Sequence, residues 1–201
     1  MKTSRNYTVA IILGIFVGGL TLIGQKYLPI NFNFLANSGA VWLVPAFFVS
    51  YFLKSSKGNS IGLCIVCLLS CVISYYWFEA IMNNHELYLG RWAIIWTIMA
   101  FIAGVIFGLG AYFVNNRNDF LKYCGMNLLP AVFFSEGMAK LIHLGDYSHM
   151  VPAVIMVTFI GVIIYLTINR KDYLKRFNLL SFTALSLLGL VGHEVLYRIS
   201  I

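Results

Sequence analysis

Seven long apolar segments with few charged residues constrain the fold of this 201-residue chain more than any other feature of its sequence. A helix needs roughly 20 apolar residues to cross a bilayer, within a range of about 17–25. The segments have that length and lack the alternation of apolar and polar residues seen in membrane-barrel strands. They cover residues 7–24, 34–53, 60–82, 92–114, 120–144, 150–168 and 177–199. The sequence therefore predicts an all-α, polytopic bundle of seven transmembrane helices, folded as a single domain over residues 1–201.

The composition excludes an ordinary soluble domain. Hydrophobic residues make up 60% of the chain and charged residues 10%, against about 45–50% and about 25% in soluble globular domains. The first segment follows a short basic start, as in a signal peptide, but its apolar run is long and no cleavage site of small residues precedes Asn31. We therefore expect this segment to be retained as the first helix.

The net charge of +7 comes from 14 Lys and Arg residues against 7 Asp and Glu residues. In a soluble protein such an excess would suggest nucleic-acid binding, but the cytoplasmic loops of membrane proteins concentrate Lys and Arg. If the seven segments cross the membrane in turn, the ends on one side hold ten of the 14 Lys and Arg residues and the ends on the other side hold four. The ten are Lys2, Arg5, Lys54, Lys57, Arg117, Lys122, Arg170, Lys171, Lys175 and Arg176. This bias predicts an N-terminus inside and a C-terminus outside in a bacterial cell membrane, with the lipid bilayer rather than nucleic acid as partner.

Small residues form stripes that would let helices pack closely, which matters because lipid gives no hydrophobic force between helices. On the third segment the stripe consists of Ser60, Cys64, Cys67, Cys71 and Ser74. Its Cys-x-x-Cys spacing also fits a redox pair, although the position within a membrane helix favours packing. Gly14/Gly18 and Gly104/Gly108 are close-packing motifs that would serve either this chain alone or a homo- or hetero-oligomer.

Polar and aromatic residues recur at nearly regular spacing along the chain. Gln25, Glu79, Glu136 and Glu194 are separated by 54, 57 and 58 residues, and Phe47, Phe101 and Phe159 by 54 and 58. This spacing suits tandem helical hairpins around an axis along the membrane normal. Helices of equal length with short loops would give the same spacing without any repeat.

The histidines and most of the acidic residues lie on one predicted side of the membrane. All four histidines (His85, His143, His149 and His193) and five of the seven acidic residues lie at or near the predicted outer face. Glu136 is the strongest functional candidate, because about 24 Å of helix at 1.5 Å per residue precede it and it therefore stays within the hydrocarbon layer. Lys140 follows it by one turn, and Glu194 and Arg198 repeat this arrangement on the last helix.

Two interpretations of these outer groups remain open. The carboxylates are interfacial groups that pair within their own helices, or they line a polar vestibule that opens outward. In the second case the candidate residues for a solute or proton site are Glu136, Lys140, Glu194, His193, Glu79 and Arg198.

Two further features lie on the same side. Asn37 and Ser38 are candidate N-caps of the second helix, whose positive dipole end would tolerate an anionic or carbonyl-bearing solute. The residues His143, Asp146 and His149 have a spacing that fits a divalent metal. The simpler expectation for this stretch is a solvated loop, and we expect no cofactor.

Three functional hypotheses follow. The sequence has no H-E-x-x-H, G-x-S-x-G or P-loop pattern, so an enzyme is the less favoured class. The leading hypothesis is a small-solute permease or transport-system component that uses the outer Glu and His residues. The alternatives are a non-catalytic membrane partner (an immunity, sensor or assembly factor) and a membrane-embedded metal-dependent hydrolase.

The stretch 20–48 carries a resemblance to a known family. Its residues Gln25, Pro29, Asn37, Ser38, Gly39, Ala40, Val41 and Trp42 resemble the opening of a family of small bacterial multi-pass membrane proteins of unknown function. The resemblance covers the first quarter of the chain and implies a membrane protein without an assigned activity. In size the chain is also similar to the substrate-binding subunits of bacterial vitamin uptake systems, which usually have six spans.

Overall fold

The structure is a computed structural model that describes residues 2–54, 56–84, 86–87 and 90–200. In these residues all regular secondary structure is helical, as predicted. The α-helices are α1 (Lys2–Tyr27), α2 (Asn33–Ala36), α3 (Gly39–Leu53), α4 (Lys57–Met82), α5 (Arg91–Phe113), α6 (Asp119–Ile142), α7 (Leu144–Tyr147), α8 (Val151–Ile168) and α9 (Arg176–Ser200). A 3₁₀ turn, Ser148–Met150, precedes α8.

The predicted second segment, residues 34–53, is not one continuous helix. Helix α2 ends at Ala36, Asn37 is its C-cap, and the chain starts again as α3 at Gly39. The Ser38 hydroxyl accepts the backbone N–H of Val41 at 3.3 Å, which is the bond of an N-cap residue. Of the two predicted caps, Ser38 therefore caps α3, whereas Asn37 closes α2. Asn and Ser side chains bond to nearby backbone groups and so interrupt helices.

Six helical stretches of the described residues are long and apolar enough to cross a membrane. They are Ser4–Tyr27, Asn33–Leu53, Lys57–Met82, Arg91–Phe113, Leu144–Ile168 and Arg176–Ile199. Large apolar side chains also lie on the outside of these helices, among them Phe16 at 61% exposed and Leu188 at 68% exposed. Such a surface suits lipid rather than water, so the chain is a multi-pass membrane protein. Helix α6, the predicted fifth span, is not among the six.

The chain divides into two compact units. Unit 1 consists of Met1–Tyr27 and Trp42–Tyr112, and unit 2 consists of Leu28–Val41 and Phe113–Ile201. Unit 1 therefore holds α1, α4, α5 and most of α3. Unit 2 holds α2, the first turn of α3, and α6 to α9.

In unit 1, α4 packs against both α1 and α5 through small residues. A methyl group placed on Gly14 of α1 would stand 2.7 Å from Cβ of Ser70, and one on Gly18 would stand 2.5 Å from the carbonyl oxygen of Cys71. One on Gly108 of α5 would stand 2.6 Å from Cα of Ile61. Both glycine motifs therefore face α4 of the same chain, and the Cys residues of the predicted stripe are free and buried there.

In unit 2, α6 packs against both α8 and α9, and buried amides join the three helices. The Asn127 amide nitrogen donates to the side-chain oxygen of Asn178 at 2.7 Å and to the Ser181 hydroxyl at 2.7 Å. The Asn127 oxygen accepts the amide of Asn169 at 2.9 Å. All four side chains are buried, so this network fixes the α8–α9 connection against α6.

Candidate functional site

Glu136 is a buried carboxylate in unit 2, with 4% of its surface exposed. Its oxygens accept three hydrogen bonds from the start of α3: the Ser38 hydroxyl donates at 2.7 Å, the Ala40 N–H at 2.9 Å and the Gly39 N–H at 3.2 Å. The partners lie 96–98 residues away in sequence. A long-range contact thus joins α6 to the beginning of another helix.

The first N–H groups of a helix have no partner within the helix, and the helix dipole makes this end partly positive. An ionised carboxylate suits this end of a helix, since its oxygens accept hydrogen bonds from the unpaired N–H groups and its negative charge complements the partial positive charge. Ser38 takes part twice, because its hydroxyl donates to Glu136 and accepts from Val41. The free-energy cost of burying the Glu136 carboxylate is therefore offset by three hydrogen-bond donors at the start of α3.

Lys140 follows Glu136 by one turn, and its ammonium group lies close to two aromatic rings. The Nζ atom is 4.5 Å from the ring centroid of Phe34 and 4.5 Å from that of Tyr147. Both distances are within the range of a cation–π interaction. Helices α2 and α7 contribute one ring each, so two of the shortest helices of the chain position this cation.

His193 of α9 completes this group. Its side chain is partly buried and close enough to Glu136 and Lys140 for both charges to act on it. The structure thus brings together four of the predicted candidates, Ser38, Glu136, Lys140 and His193, in unit 2. We call these four residues the Glu136 cluster.

A second polar group joins the last turns of α9 to the segment after α6. The His143 ring nitrogen Nε2 lies 2.7 Å from an oxygen of Glu194, whose other oxygen accepts Nε of Arg198 at 2.8 Å. The Tyr197 hydroxyl donates to the carboxylate of Asp146, and its ring stacks on His143 with centroids 3.7 Å apart. Glu194 therefore pairs both within its own helix and with His143.

The remaining candidates are placed as follows. Glu79 belongs to unit 1, where it accepts the side-chain amide of Asn83 at 2.8 Å. Within the part of the chain that the structure describes, no group of three or more His, Cys, Asp and Glu residues could hold a metal ion. Of the predicted metal ligands, His143 and Asp146 bond to α9, and His149 is exposed. His85 lies outside the described residues.

Sequence reasoning did not find the aromatic partners of Lys140, nor that Ser38 and Glu136 bind each other. The local signals were present, since Ser38 has the character of a cap and Glu136 is a carboxylate within an apolar helix. Their pairing depends on the packing of α6 beside the start of α3, for which the residue spacing gives no signal.

Comparison with known proteins gives a family but no activity. No curated protein and no solved structure matches the chain. The similarity in size to vitamin uptake subunits thus gains no support and stays a prediction. The model of one family, described as "Family of unknown function (DUF6518)", matches residues 1–199. The match covers nearly the whole chain and agrees with the family resemblance of its first quarter, so the protein belongs to the DUF6518 family.

Proposed function

We propose that this protein is a small-solute permease or a component of a transport system, with its solute or proton site at the Glu136 cluster. The observation that carries the proposal is the burial of the Glu136 carboxylate against the start of α3. Ionisable groups inside a membrane protein are costly and tend to mark ion or substrate pathways. We place the protein in a bacterial cell membrane.

Seven membrane spans are part of this proposal, with α6 as the seventh. Helix α6 has 24 residues, or about 36 Å at 1.5 Å per residue, which is enough to cross the hydrocarbon core. Its low hydropathy has a physical reason, since its polar residues are used in contacts within the protein: Asn127 bonds to α9, and Glu136 bonds to the start of α3. If α6 did not cross, the basic α8–α9 connection would move to the side opposite the other basic loops, against the positive-inside rule.

With seven spans and an N-terminus inside, the C-terminal end of α6 and the start of α3 lie on the outer side. The Glu136 cluster then lies in the outer half of the membrane. A solute arriving from outside would meet the second polar group, His143 and Glu194, before it reached Glu136. This order suits uptake from the exterior.

The proposed mechanism uses competition for the three donors at the start of α3. When ionised, Glu136 accepts from Ser38, Gly39 and Ala40. A proton on the carboxylate removes its charge and part of its acceptor capacity, and a solute carboxylate or carbonyl would offer the same donors another partner. Either event would weaken the hydrogen bonds that join α6 to the start of α3. Binding and movement of the first turn of α3 would then be coupled.

The test is the substitution Glu136→Gln in the full chain reconstituted in proteoliposomes. The probes are a panel of radiolabelled small carboxylates and amino acids, together with a pH-sensitive dye inside the vesicles. We expect uptake of at least one probe by the unmodified protein and a reduction of about tenfold or more in Glu136→Gln, since a hydrogen bond to a charged group contributes about 1.5–3 kcal/mol.

The matched control is Glu79→Gln, which removes a carboxylate that bonds within its own helix. It should leave uptake unchanged. Equal uptake by Glu136→Gln and the unmodified protein, with no change in proton flux, would overturn the proposal. In that case the partner and hydrolase hypotheses would be the ones to pursue.

A further inference from the structure

The connection between α8 and α9 presents a cluster of exposed basic side chains. Arg170, Lys171 and Arg176 are exposed, and within the described part of the chain none of them forms an ion pair. The fourth cation, Lys175, is bound to Asp172 at 2.9 Å. Three positive charges of this connection therefore remain for an external partner.

The backbone that carries these cations is held by hydrogen bonds. The N–H of Asp172 donates to the carbonyl of Asn169 at 2.7 Å, and the N–H of Lys175 donates to the carbonyl of Asp172 at 2.9 Å. Two side chains of neighbouring helices fix the same stretch. The buried Asn178 amide donates to the Asp172 carbonyl at 2.9 Å, and the Tyr123 hydroxyl of α6 donates to the Asp172 carboxylate at 3.0 Å. The cations thus project from an ordered segment rather than from a loose loop.

Apolar side chains lie beside the cations. Leu174 is 74% exposed and Phe177 is 56% exposed. Since α8 ends at Ile168 and α9 begins at Arg176, this segment lies where two membrane helices leave the bilayer. A basic group with adjacent exposed apolar side chains at this level matches a phospholipid, which has an anionic head group above acyl chains.

We propose that residues 170–177 form a binding site for an anionic phospholipid. Arg170, Lys171 and Arg176 bind the head-group phosphate, since Arg in particular forms charge-assisted, two-point hydrogen bonds with phosphate. Leu174 and Phe177 contact the glycerol and upper acyl region. This site does not involve the Glu136 cluster, so it stands or falls separately from the proposed function.

The test measures lipid bound to the purified full chain by native mass spectrometry, with phosphatidylglycerol and phosphatidylcholine as competing probes. We expect the unmodified protein to prefer phosphatidylglycerol. The triple substitution R170Q/K171Q/R176Q should reduce this preference about tenfold or more, because each basic residue near an anionic surface contributes several-fold in affinity. The charge-retaining variant R170K/K171R/R176K should keep most of it.

The matched control is R5Q/K57Q/R117Q, which removes three exposed basic residues from other parts of the chain. It should leave the preference nearly unchanged, and an equal loss in both triple variants would overturn the proposal in favour of a diffuse charge effect. Leu174→Ser with Phe177→Ser should weaken retention of phosphatidylglycerol.

Two results with the unmodified protein decide the question even if a variant fails to fold. Absence of a preference for phosphatidylglycerol over phosphatidylcholine would overturn the site. Displacement of phosphatidylglycerol by an equal concentration of soluble glycerol phosphate would show that only a free phosphate is bound, which would overturn the assignment to a lipid.

Discussion

Both units contain helix contacts at small residues, such as Gly14 and Gly18 against α4 in unit 1 and Gly161 against α6 in unit 2. Unit 2 adds a network of buried hydrogen bonds between side chains of different helices, centred on Asn127. Helix α4 meets α1 at Gly14 and Gly18, with backbone close to backbone. Helix α6 meets α8 and α9 through the Asn127 network and meets the start of α3 through Glu136. Both solutions are expected where lipid offers no hydrophobic force between helices.

The difference lies in what each contact can do besides hold the helices. A seam of small residues depends on shape and has no alternative partner. A buried hydrogen bond has alternatives, because a proton, a water molecule or a solute can take the place of one member. The Glu136 contact is of the second kind and includes a charge. A site that binds a proton or a solute is therefore expected in unit 2 rather than in unit 1.

The largest expected effect comes from disturbing the seam of unit 1 with Gly14→Ala and Gly18→Ala together. A methyl group at Gly14 would overlap the carbonyl oxygen of Cys67, and one at Gly18 would stand 2.9 Å from the backbone nitrogen of Tyr75. The backbone of α4 cannot rotate away as a side chain could. We expect a loss of about 1–3 kcal/mol of unfolding free energy for each substitution, measured by thermal unfolding of the purified protein in detergent.

Gly19→Ala is the control on the same helix. A methyl group there would be 3.4 Å from the ring of Phe78, which is a flexible and nearly ordinary contact. Alanine also exceeds glycine in helix propensity by about 1 kcal/mol, so stability should stay the same or rise. A similar loss in Gly19→Ala and the double variant would mean that close approach of backbones does not hold α1 on α4.

An intermediate effect is expected from Asn127→Leu, which breaks the amide network of unit 2. The substitution leaves Asn169 and Asn178 buried without their shared partner. We expect the free energy of unfolding to fall by about 2 kcal/mol. This value lies between the modest contribution of an interhelical hydrogen bond in a membrane and the larger cost of a buried polar group without a partner. Thermal unfolding in detergent measures it.

Thr97→Val is the matched polar-to-apolar control, since among the residues that the structure describes the Thr97 hydroxyl bonds only to the carbonyl of Ala93 in its own helix, at 2.7 Å. The free energy of unfolding of the Thr97→Val variant should differ from that of the unmodified protein by less than about 0.5 kcal/mol. If Asn127→Leu is as mild as Thr97→Val, the network of unit 2 does not hold its helices together, and the contrast between the units disappears.

Much of the fold follows from the sequence because membrane helices are specified by continuous apolar runs. The predicted segment 120–144 corresponds to α6, Asp119–Ile142, and 92–114 corresponds to α5, Arg91–Phe113. The break between α2 and α3 was missed, because an apolar window averages over Asn37 and Ser38. The local hydrogen bond by which the Ser38 hydroxyl caps α3 outweighs the hydropathy of the segment around it.

The site was predicted only as separate parts. Glu136 and Ser38 were both candidates, each for a local reason, but their contact joins residues 98 apart. Lys140 was expected to pair with Glu136 because of its spacing, and in the structure its ammonium group lies close to the rings of Phe34 and Tyr147. Spacing along one helix gives the face on which a residue lies. It does not give the element that packs on that face.

The smallest effect is expected at the surface of unit 2, where Asp172→Asn removes the pair with Lys175. The hydrogen bonds from Lys175 and Tyr123 hold the pKa of Asp172 below its ordinary value of 3.8. The hydrogen bond and charge of Asp172 in turn raise the pKa of Lys175 above 10.5. These directions define the pH range in which the pair should stabilise the fold.

A carboxylate with a lowered pKa stabilises the folded state above its ordinary pKa and loses that contribution as the pH falls through the lowered value. A lysine with a raised pKa contributes below 10.5 and loses its contribution as the pH rises through the raised value. The melting temperatures of the unmodified protein and Asp172→Asn should therefore differ by a constant, small amount near neutral pH and converge in strong acid. Lys175→Gln should behave in the same way. A difference in melting temperature that persists at pH values well below the lowered pKa would show that Asp172 acts through its shape rather than its charge. The contact between Asp172 and Lys175 at the surface of unit 2 would then depend on packing.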